Sequence, residues 1–110
     1  MDEEYVEAVL SLVERVPPGR VTTYGALAEA VGSGGPRQVG KVMSTYGGAV
    51  PWWRVVHADG TPALCHDGEA VAQLRSEGAP VRLSGRLDMA RAMWWPGDED
   101  LSVVPDGMPR

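Results

Sequence analysis

Cys65 and His66 are the residues of this sequence whose types could carry nucleophilic chemistry. A cysteine attacks an electrophilic carbon as the thiolate, which forms when a neighbouring base removes the thiol proton. Residues adjacent in a strand or loop, however, rarely present a nucleophile and a base to each other. Together with His57 they also lack the paired spacing of a zinc site. Cys65 and His66 therefore remain one possible site of covalent chemistry, with the thiol as the group that accepts a transferred carbon. Neither a metal nor a cofactor is predicted.

A second candidate site is the hexapeptide Pro-Trp-Trp-Arg-Val-Val at residues 51–56. An indole offers no nucleophilic lone pair and relays no proton at neutral pH, so Trp52 and Trp53 indicate binding or packing instead of covalent chemistry. Adjacent tryptophans at the start of a short strand are more often core anchors than ligand platforms. From residue types alone, both interpretations remain open.

Charge is distributed unevenly along the chain. The net charge is −5, which by itself favours a protein partner over nucleic acid. Between residues 15 and 57, however, five basic residues stand against Glu29 alone, a net +4. Acidic segments flank this block on both sides. The distribution is typical of a modest DNA-binding face on an otherwise acidic domain.

Length and composition indicate one small globular domain. The chain has 110 residues, 44% hydrophobic and 23% charged, so it buries a single core with little area to spare. No apolar run is long enough for a membrane span, and the acidic start is unlike a secretory signal. A single cysteine cannot form an internal disulfide, which suits a reducing compartment. We expect a cytoplasmic protein, nucleoid-associated if it is bacterial.

The first half of the sequence predicts three helices. Apolar residues at helical spacing predict an amphipathic helix over residues 3–16, stopped by a Pro-Pro-Gly sequence. A short extended piece leads to Thr23, a predicted N-cap for a helix over residues 24–31. After a glycine-rich loop, Pro36 begins a helix to about Tyr46. The last two helices resemble a helix-turn-helix, with a plain helical hairpin as the alternative.

The second half predicts smaller elements. Residues 54–57 are β-type and lead into an Asp-Gly turn, which predicts a small hairpin or wing. A helix is predicted over residues 68–77, with Val71 and Leu74 inward and Gly78 as C-cap. Residues 81–83 are expected to be extended and residues 88–94 helical. The domain is predicted to span residues 1–96, with an acidic tail over residues 97–110.

Three segments, in order and spacing, resemble the C-terminal domain of the O6-alkylguanine-DNA alkyltransferases. Residues 19–28 resemble that family's Gly-x-Val-x-Ser/Thr-Tyr-Gly-x-Leu/Ile-Ala, and residues 36–43 resemble its Arg-x-Val-Gly block. Residues 51–56 resemble its Pro-Cys-His-Arg-Val-(Val/Ile), with Trp52 in place of the nucleophilic cysteine and Trp53 in place of the activating histidine. Such a replacement is typical of alkyltransferase-like proteins, which bind alkylated DNA without repairing it.

The resemblance implies a mainly α fold: a winged helix-turn-helix-like three-helix core with a small β hairpin. It implies that Tyr24 lies against the DNA backbone and helps to rotate the target nucleotide out. Arg37 would enter the duplex from the recognition helix through the minor groove and fill the gap, since a planar guanidinium both stacks and donates hydrogen bonds. The other predicted DNA-binding residues lie on the same helix: Gln38, Lys41 and Ser44.

The resemblance also implies a pocket for the flipped base. Its predicted lining is Tyr24, Trp52, Val55, Val56, Cys65 and His66. Alkyltransferase-like proteins often carry a basic residue 13 positions after the tryptophan, where this chain has Cys65, so His66 is the candidate substitute. Trp53 is expected to pack and Arg54 to bind backbone carbonyls. Trp94 and Trp95 are expected to close the domain across the first helix.

The predicted function is therefore that of a non-enzymatic, monomeric sensor of O6-alkylguanine in duplex DNA. The resemblance implies signalling to nucleotide excision repair proteins, although no residue identifies that partner's surface. One alternative is a diverged methyltransferase that uses Cys65 as acceptor. The other is a winged-helix transcription regulator, which would bind half-sites as a dimer.

Overall fold

A computed structural model of the protein describes residues 2–63 and 68–96. Its first helix, α1, spans Glu3–Arg15 and begins where the Asp2 side chain accepts a hydrogen bond from the Glu4 amide at 3.1 Å. Acids in the first turn complement the helix dipole. The helix is one residue shorter than predicted, and the predicted apolar face is confirmed by the burial of Val6, Val9 and Val13.

A helix-turn-helix follows. Strand β1, Thr22–Thr23, leads into α2, Tyr24–Val31, and the predicted N-cap is confirmed because Thr23 Oγ1 accepts from the Ala26 amide at 3.0 Å. Gly32 ends α2 with φ +92°, a left-handed conformation that favours glycine. Helix α3, Pro36–Tyr46, starts with proline at its first turn, as predicted.

The segment after α3 departs from the sequence prediction. Residues 47–49 and 52–54 form two turns of 3-10 helix, so Arg54 belongs to a turn and not to the predicted strand. The turn closes with a hydrogen bond from the Arg54 amide to the Pro51 carbonyl at 3.1 Å. Strand β2, Val55–Val56, pairs in parallel with β1, with Thr22 opposite Val55 and Thr23 opposite Val56. The predicted small hairpin follows: the His57 amide donates to the Thr61 carbonyl at 2.9 Å.

The C-terminal part closes the domain. Helix α4, Glu69–Ser76, buries Ala70 and Leu74, whereas Val71 is only half-buried because it lies at the edge of the inward face. The helix is capped by Glu77, one residue before the predicted Gly78, which follows at φ +81°. Residues 81–87 form a hairpin with Val81 opposite Leu87.

Helix α5, Met89–Ala92, is shorter than the predicted residues 88–94, because Met93 leaves it to pair with Val21. The Trp94 amide then donates to the Val21 carbonyl at 2.7 Å. Trp94 is 5% exposed, but Trp95 is 53% exposed. Since a side chain that faces water closes nothing, the prediction of a two-tryptophan lid was wrong for Trp95.

Two hydrophobic clusters meet at β2. One joins α1, α2 and α3 and includes Val55, and the other joins the C-terminal elements to Val21 and includes Val56. Neighbouring residues of a strand point to opposite faces, so the two valines tie the clusters together. The mainly α helix-turn-helix fold is confirmed. No helix within the described ranges is long and apolar enough to cross a membrane.

Candidate nucleic-acid interface

A cavity of about 500 Å³ opens beside the C-terminal half of α3. Trp52 forms one wall and Tyr24 another, and the remaining lining comes from α3, the turn after it and the hairpin: Gly40, Met43, Ser44, Thr45, Gly47, Gly48 and Ala63. Its volume is in the range of small-molecule sites, about 300–1,000 Å³. Because glycines and alanine supply part of the wall, the backbone comes close and leaves room for a flat ligand.

The 3-10 turn at residues 52–54 determines how the two adjacent tryptophans are used. Their rings lie edge to face, with centroids 5.7 Å apart and planes 84° apart. Trp52 lines the cavity, whereas Trp53 is directed to the far side of the turn, where its Nε1 donates to Glu77 Oε2 at 3.1 Å. The turn therefore presents one indole to the cavity and anchors the other behind it.

Glu77 is the centre of that anchor. Besides Trp53, Arg54 donates to its carboxylate through Nε at 3.1 Å and Nη2 at 2.5 Å, and the Gly19 amide approaches at 3.5 Å. Arg54 Nη1 also donates to the Val16 carbonyl at 2.9 Å. The expected backbone-carbonyl contact of Arg54 is thus present, together with an ion pair that the sequence analysis did not predict. These bonds join the cavity turn to α1, α4 and the loop between α1 and β1.

The surroundings of Glu77 favour its charged carboxylate form. Burial raises the pKa of Glu77, but hydrogen bonds from Arg54 and Trp53, the charge of Arg54 and the Gly19 amide lower it more, and the net shift is downward. The side chains of Arg54 and Glu77 are 13% and 14% exposed. A bidentate pair with so little solvent is a stronger constraint than a surface ion pair.

The exposed face of α3 carries the predicted DNA-binding residues. Arg37, Gln38, Lys41 and Ser44 are all exposed. Neither Arg37 nor Lys41 uses its side chain in a hydrogen bond or ion pair within residues 2–63 and 68–96. Ser44 Oγ donates to the Lys41 carbonyl at 3.1 Å and also borders the cavity. The face therefore offers two cations to an external ligand.

Tyr24 lies between this face and the cavity. It lines the cavity with Trp52, and it also lines a groove of about 420 Å³ whose other residues are Pro36, Arg37, Gly40 and His57. Gly40 borders both spaces, and among the described residues no atom outside its own helix lies within 4 Å of a Cβ built there. A continuous surface therefore leads from Arg37 past Tyr24 and Gly40 into the cavity.

Two predicted pocket residues lie elsewhere. Val55 and Val56 are completely buried in the two hydrophobic clusters and do not line the cavity, because β2 runs between those clusters. Cys65 and His66, also predicted for the pocket, lie outside the described residues, as does the predicted tail over residues 97–110.

Several residues that line the cavity or the groove were not predicted from the sequence. The most prominent are Gly40, Met43 and His57. Met43 is half-buried: it packs against the hydrophobic cluster of α1, α2 and α3 and also lines the cavity. Gly40 carried a signal in the sequence, since a glycine inside a helix lowers helix stability and so points to a packing or functional reason. In the part of the chain that the structure describes, no group of three His, Cys, Asp or Glu residues could hold a metal.

Comparisons with known proteins found similar sequences. The sequence model of the family described as "6-O-methylguanine DNA methyltransferase, DNA binding domain" matches residues 4–79. The DNA base-flipping protein of Escherichia coli is 37% identical over 101 residues, which cover 84% of this chain and 76% of that protein. Alkyltransferase-like protein 1 of Schizosaccharomyces pombe is 42% identical over 111 residues, which cover 87% of this chain and 98% of that protein.

A solved structure is similar as well. The S. pombe Atl1 protein in complex with damaged DNA containing O6-carboxymethylguanine matches with a TM-score of 0.74 and 30% sequence identity. The match covers 87% of this chain and 99% of that chain.

Proposed function

We propose that this chain, which belongs to the 6-O-methylguanine DNA methyltransferase DNA-binding domain family, is a non-enzymatic sensor of alkylated DNA. It binds duplex DNA, rotates an O6-alkylguanine into the cavity beside Trp52 and holds it there. The observation that carries the proposal is that the indole of Trp52 lines a cavity of about 500 Å³. In the active-site motif that residues 51–56 resemble, the position of Trp52 is a cysteine. The names of the relatives, a base-flipping protein and an alkyltransferase-like protein, support the same function.

The proposed docking element is α3. Arg37, exposed at the first turn of α3 and without an ion pair among residues 2–63 and 68–96, suits insertion into the duplex, because a guanidinium stacks on neighbouring bases and donates hydrogen bonds to the orphaned partner. Lys41 is one turn further along the exposed face and contacts phosphate. Tyr24, between the Arg37 groove and the cavity, is the residue that the rotating nucleotide passes.

The proposed selectivity comes from an apolar wall. The O6-alkyl group of the lesion adds carbon to the guanine edge, and Trp52 and Met43 offer that carbon a non-polar surface. An alkyl transfer needs a nucleophile and a base at this place. The chain has Trp52 and Trp53 there, and the Trp53 Nε1–H donates a hydrogen bond to Glu77.

Several further features belong to the same proposal. We propose that the protein acts as a monomer in the cytoplasm, or on the nucleoid in a bacterium, and that the bound complex recruits nucleotide excision repair proteins. His66 is the proposed substitute for the family's basic pocket residue. The only transferase alternative that the sequence leaves uses Cys65 as acceptor.

The test is an equilibrium titration against two identical duplexes, one with O6-methylguanine and one with guanine, followed by intact mass of the recovered protein. Tighter binding to the lesion with no mass gain supports the sensor. A gain of one methyl group makes the protein a transferase, and Cys65→Ser identifies the acceptor if the gain disappears. Equal affinity for both duplexes contradicts lesion recognition and favours a plain DNA-binding protein. Trp52→Cys alone is expected not to restore transfer, since Trp53 still occupies the position of the activating histidine.

A further inference from the structure

His57 lies beside Tyr24 on the surface proposed to face DNA, although the sequence analysis gave it no role there. The two ring centroids are 5.2 Å apart with planes 42° apart, and both residues line the groove that contains Arg37. His57 is exposed, and its side chain makes no hydrogen bond within the described ranges.

The fold presents this histidine from a fixed backbone. Thr23 pairs with Val56 in the parallel sheet, so the residues that follow, Tyr24 and His57, leave the sheet side by side. The His57 amide donates to the Thr61 carbonyl and its carbonyl accepts from the Gly60 amide, each at 2.9 Å. These bonds fix the backbone of the turn from which the His57 side chain reaches the rim of the groove.

The charged groups around His57 favour an anionic ligand. Arg37 of α3 lines the same groove, and Tyr24 is the titratable neighbour on α2. Asp59, in the same turn as His57, is already engaged: its Oδ1 accepts from the Thr61 amide at 3.0 Å, and its Oδ2 lies 3.5 Å from Arg86 Nη2 of the 81–87 hairpin. Hydrogen bonds from Thr61 and the charges of Arg86 and His57 lower the pKa of Asp59, so Asp59 interacts with His57 as well. Because Asp59 divides its charge between Arg86 and His57, a protonated His57 still adds positive charge to the groove.

We propose that His57, as an imidazolium, binds a phosphate of the DNA backbone in the groove that it shares with Tyr24 and Arg37. The inference rests on the duplex-binding part of the proposed function and is independent of lesion recognition. Histidine changes its charge between about pH 5 and 8. The protein's affinity for any duplex, damaged or not, therefore rises on mild acidification through one additional phosphate contact.

The experiment measures affinity for an undamaged duplex against salt concentration at about pH 6 and about pH 8, the two sides of the histidine range. For wild type, the slope of log K against log salt is expected to be steeper at the lower pH by about 0.9, the value for one phosphate contact. His57→Ala should show the shallow slope at both pH values. His57→Lys, which keeps a cation, should show the steep slope at both.

The His66→Ala variant tests whether the other histidine of the chain causes the pH dependence. If the pH dependence disappears in His66→Ala and persists in His57→Ala, the proposal is overturned. It is equally overturned by a wild-type slope that does not change with pH. A thermal unfolding curve for each variant separates these results from misfolding. A protein that prefers the lesion but has a pH-independent slope keeps the proposed function and loses the His57 contact, whereas one that binds neither duplex loses both.

Discussion

Arg37 and Arg54 carry the same guanidinium in opposite surroundings. Arg37 is exposed on α3 with no ion pair in the described structure, whereas Arg54 is 13% exposed and bonded to Glu77 and the Val16 carbonyl. Arg54 holds together the turn that presents Trp52, so its interactions are completed within the fold. Arg37 is the side chain that we propose to interact with DNA. The comparison separates a framework that positions the cavity from a face that binds.

The largest expected effect is on stability, from Arg54→Ala. Removing the cation leaves the Glu77 carboxylate partly buried without its ion-pair partner, which costs about 3–5 kcal/mol for a fully buried pair. Because both side chains keep some solvent contact, we expect the lower end of that range. Urea unfolding measures the change, and Arg37→Ala is the matched control, expected within about 0.5 kcal/mol of wild type. Equal losses for the two variants would remove the distinction between framework and binding face.

Arg37→Ala should instead weaken binding to the O6-methylguanine duplex by a few kcal/mol, about the cost of extruding a base. Its stability should be unchanged. Lys41→Ala is the matched control on the same helix. It should weaken binding to the lesion duplex and to the normal duplex alike. It should also reduce the slope of log K against log salt by about 1, as the loss of one phosphate contact does. Unchanged lesion affinity in Arg37→Ala would show that this arginine does not stabilise the flipped state.

The third prediction concerns acid. The fold lowers the pKa of Glu77. The stability that the Glu77 carboxylate contributes is therefore complete above the pKa of an ordinary glutamate, about 4.3. It is lost as the pH falls through the lower folded-state value. Glu77→Gln should therefore be less stable than wild type at neutral pH by about 1–3 kcal/mol. Unfolding measured across the acid range should show the two proteins converging; a constant difference would mean that the charge of Glu77 contributes nothing.

The smallest effect is expected from Gly40→Ala, which should raise the stability of the fold and lower its affinity for the lesion. Replacing a helix-interior glycine by alanine stabilises a helix by about 0.5–1 kcal/mol, and a Cβ built at Gly40 meets nothing outside its own helix within residues 2–63 and 68–96. The new methyl group points into the surface shared by the groove and the cavity, so lesion affinity should fall while the melting temperature rises. A rise in both would place Gly40 outside the binding surface.

Local signals made much of the fold predictable. The apolar period of α1, the Thr23 cap and the proline that starts α3 each act within a few residues. They were read correctly because no distant contact competes with them. The division of labour between the tryptophans was not predictable in this way. It depends on Trp53 meeting Glu77, 24 positions away, and on the turn at residues 52–54.

The candidate site shows the same limit. Motif matching located Tyr24, Arg37 and Trp52, which the structure gathers along one continuous surface. It also assigned Val55 and Val56 to the pocket, because the motif gives their proximity to Trp52 in sequence but not the direction of their side chains. Their burial follows from the parallel pairing of β2 with β1, a contact across more than thirty residues. His57 was missed for the same reason.

We propose that Trp52 contacts the lesion while Trp53 supports the turn. The direct test measures the ratio of affinities for the O6-methylguanine and guanine duplexes in wild type, Trp52→Ala and Trp53→Phe, together with the stability of each variant. Trp52→Ala should lower the ratio toward one while affinity for the normal duplex is largely kept. Trp53→Phe keeps the ring but loses the bond to Glu77, so it should lower stability and leave the ratio near that of wild type. Equal losses of affinity for both duplexes in Trp52→Ala would show that Trp52 serves folding, and would contradict the account.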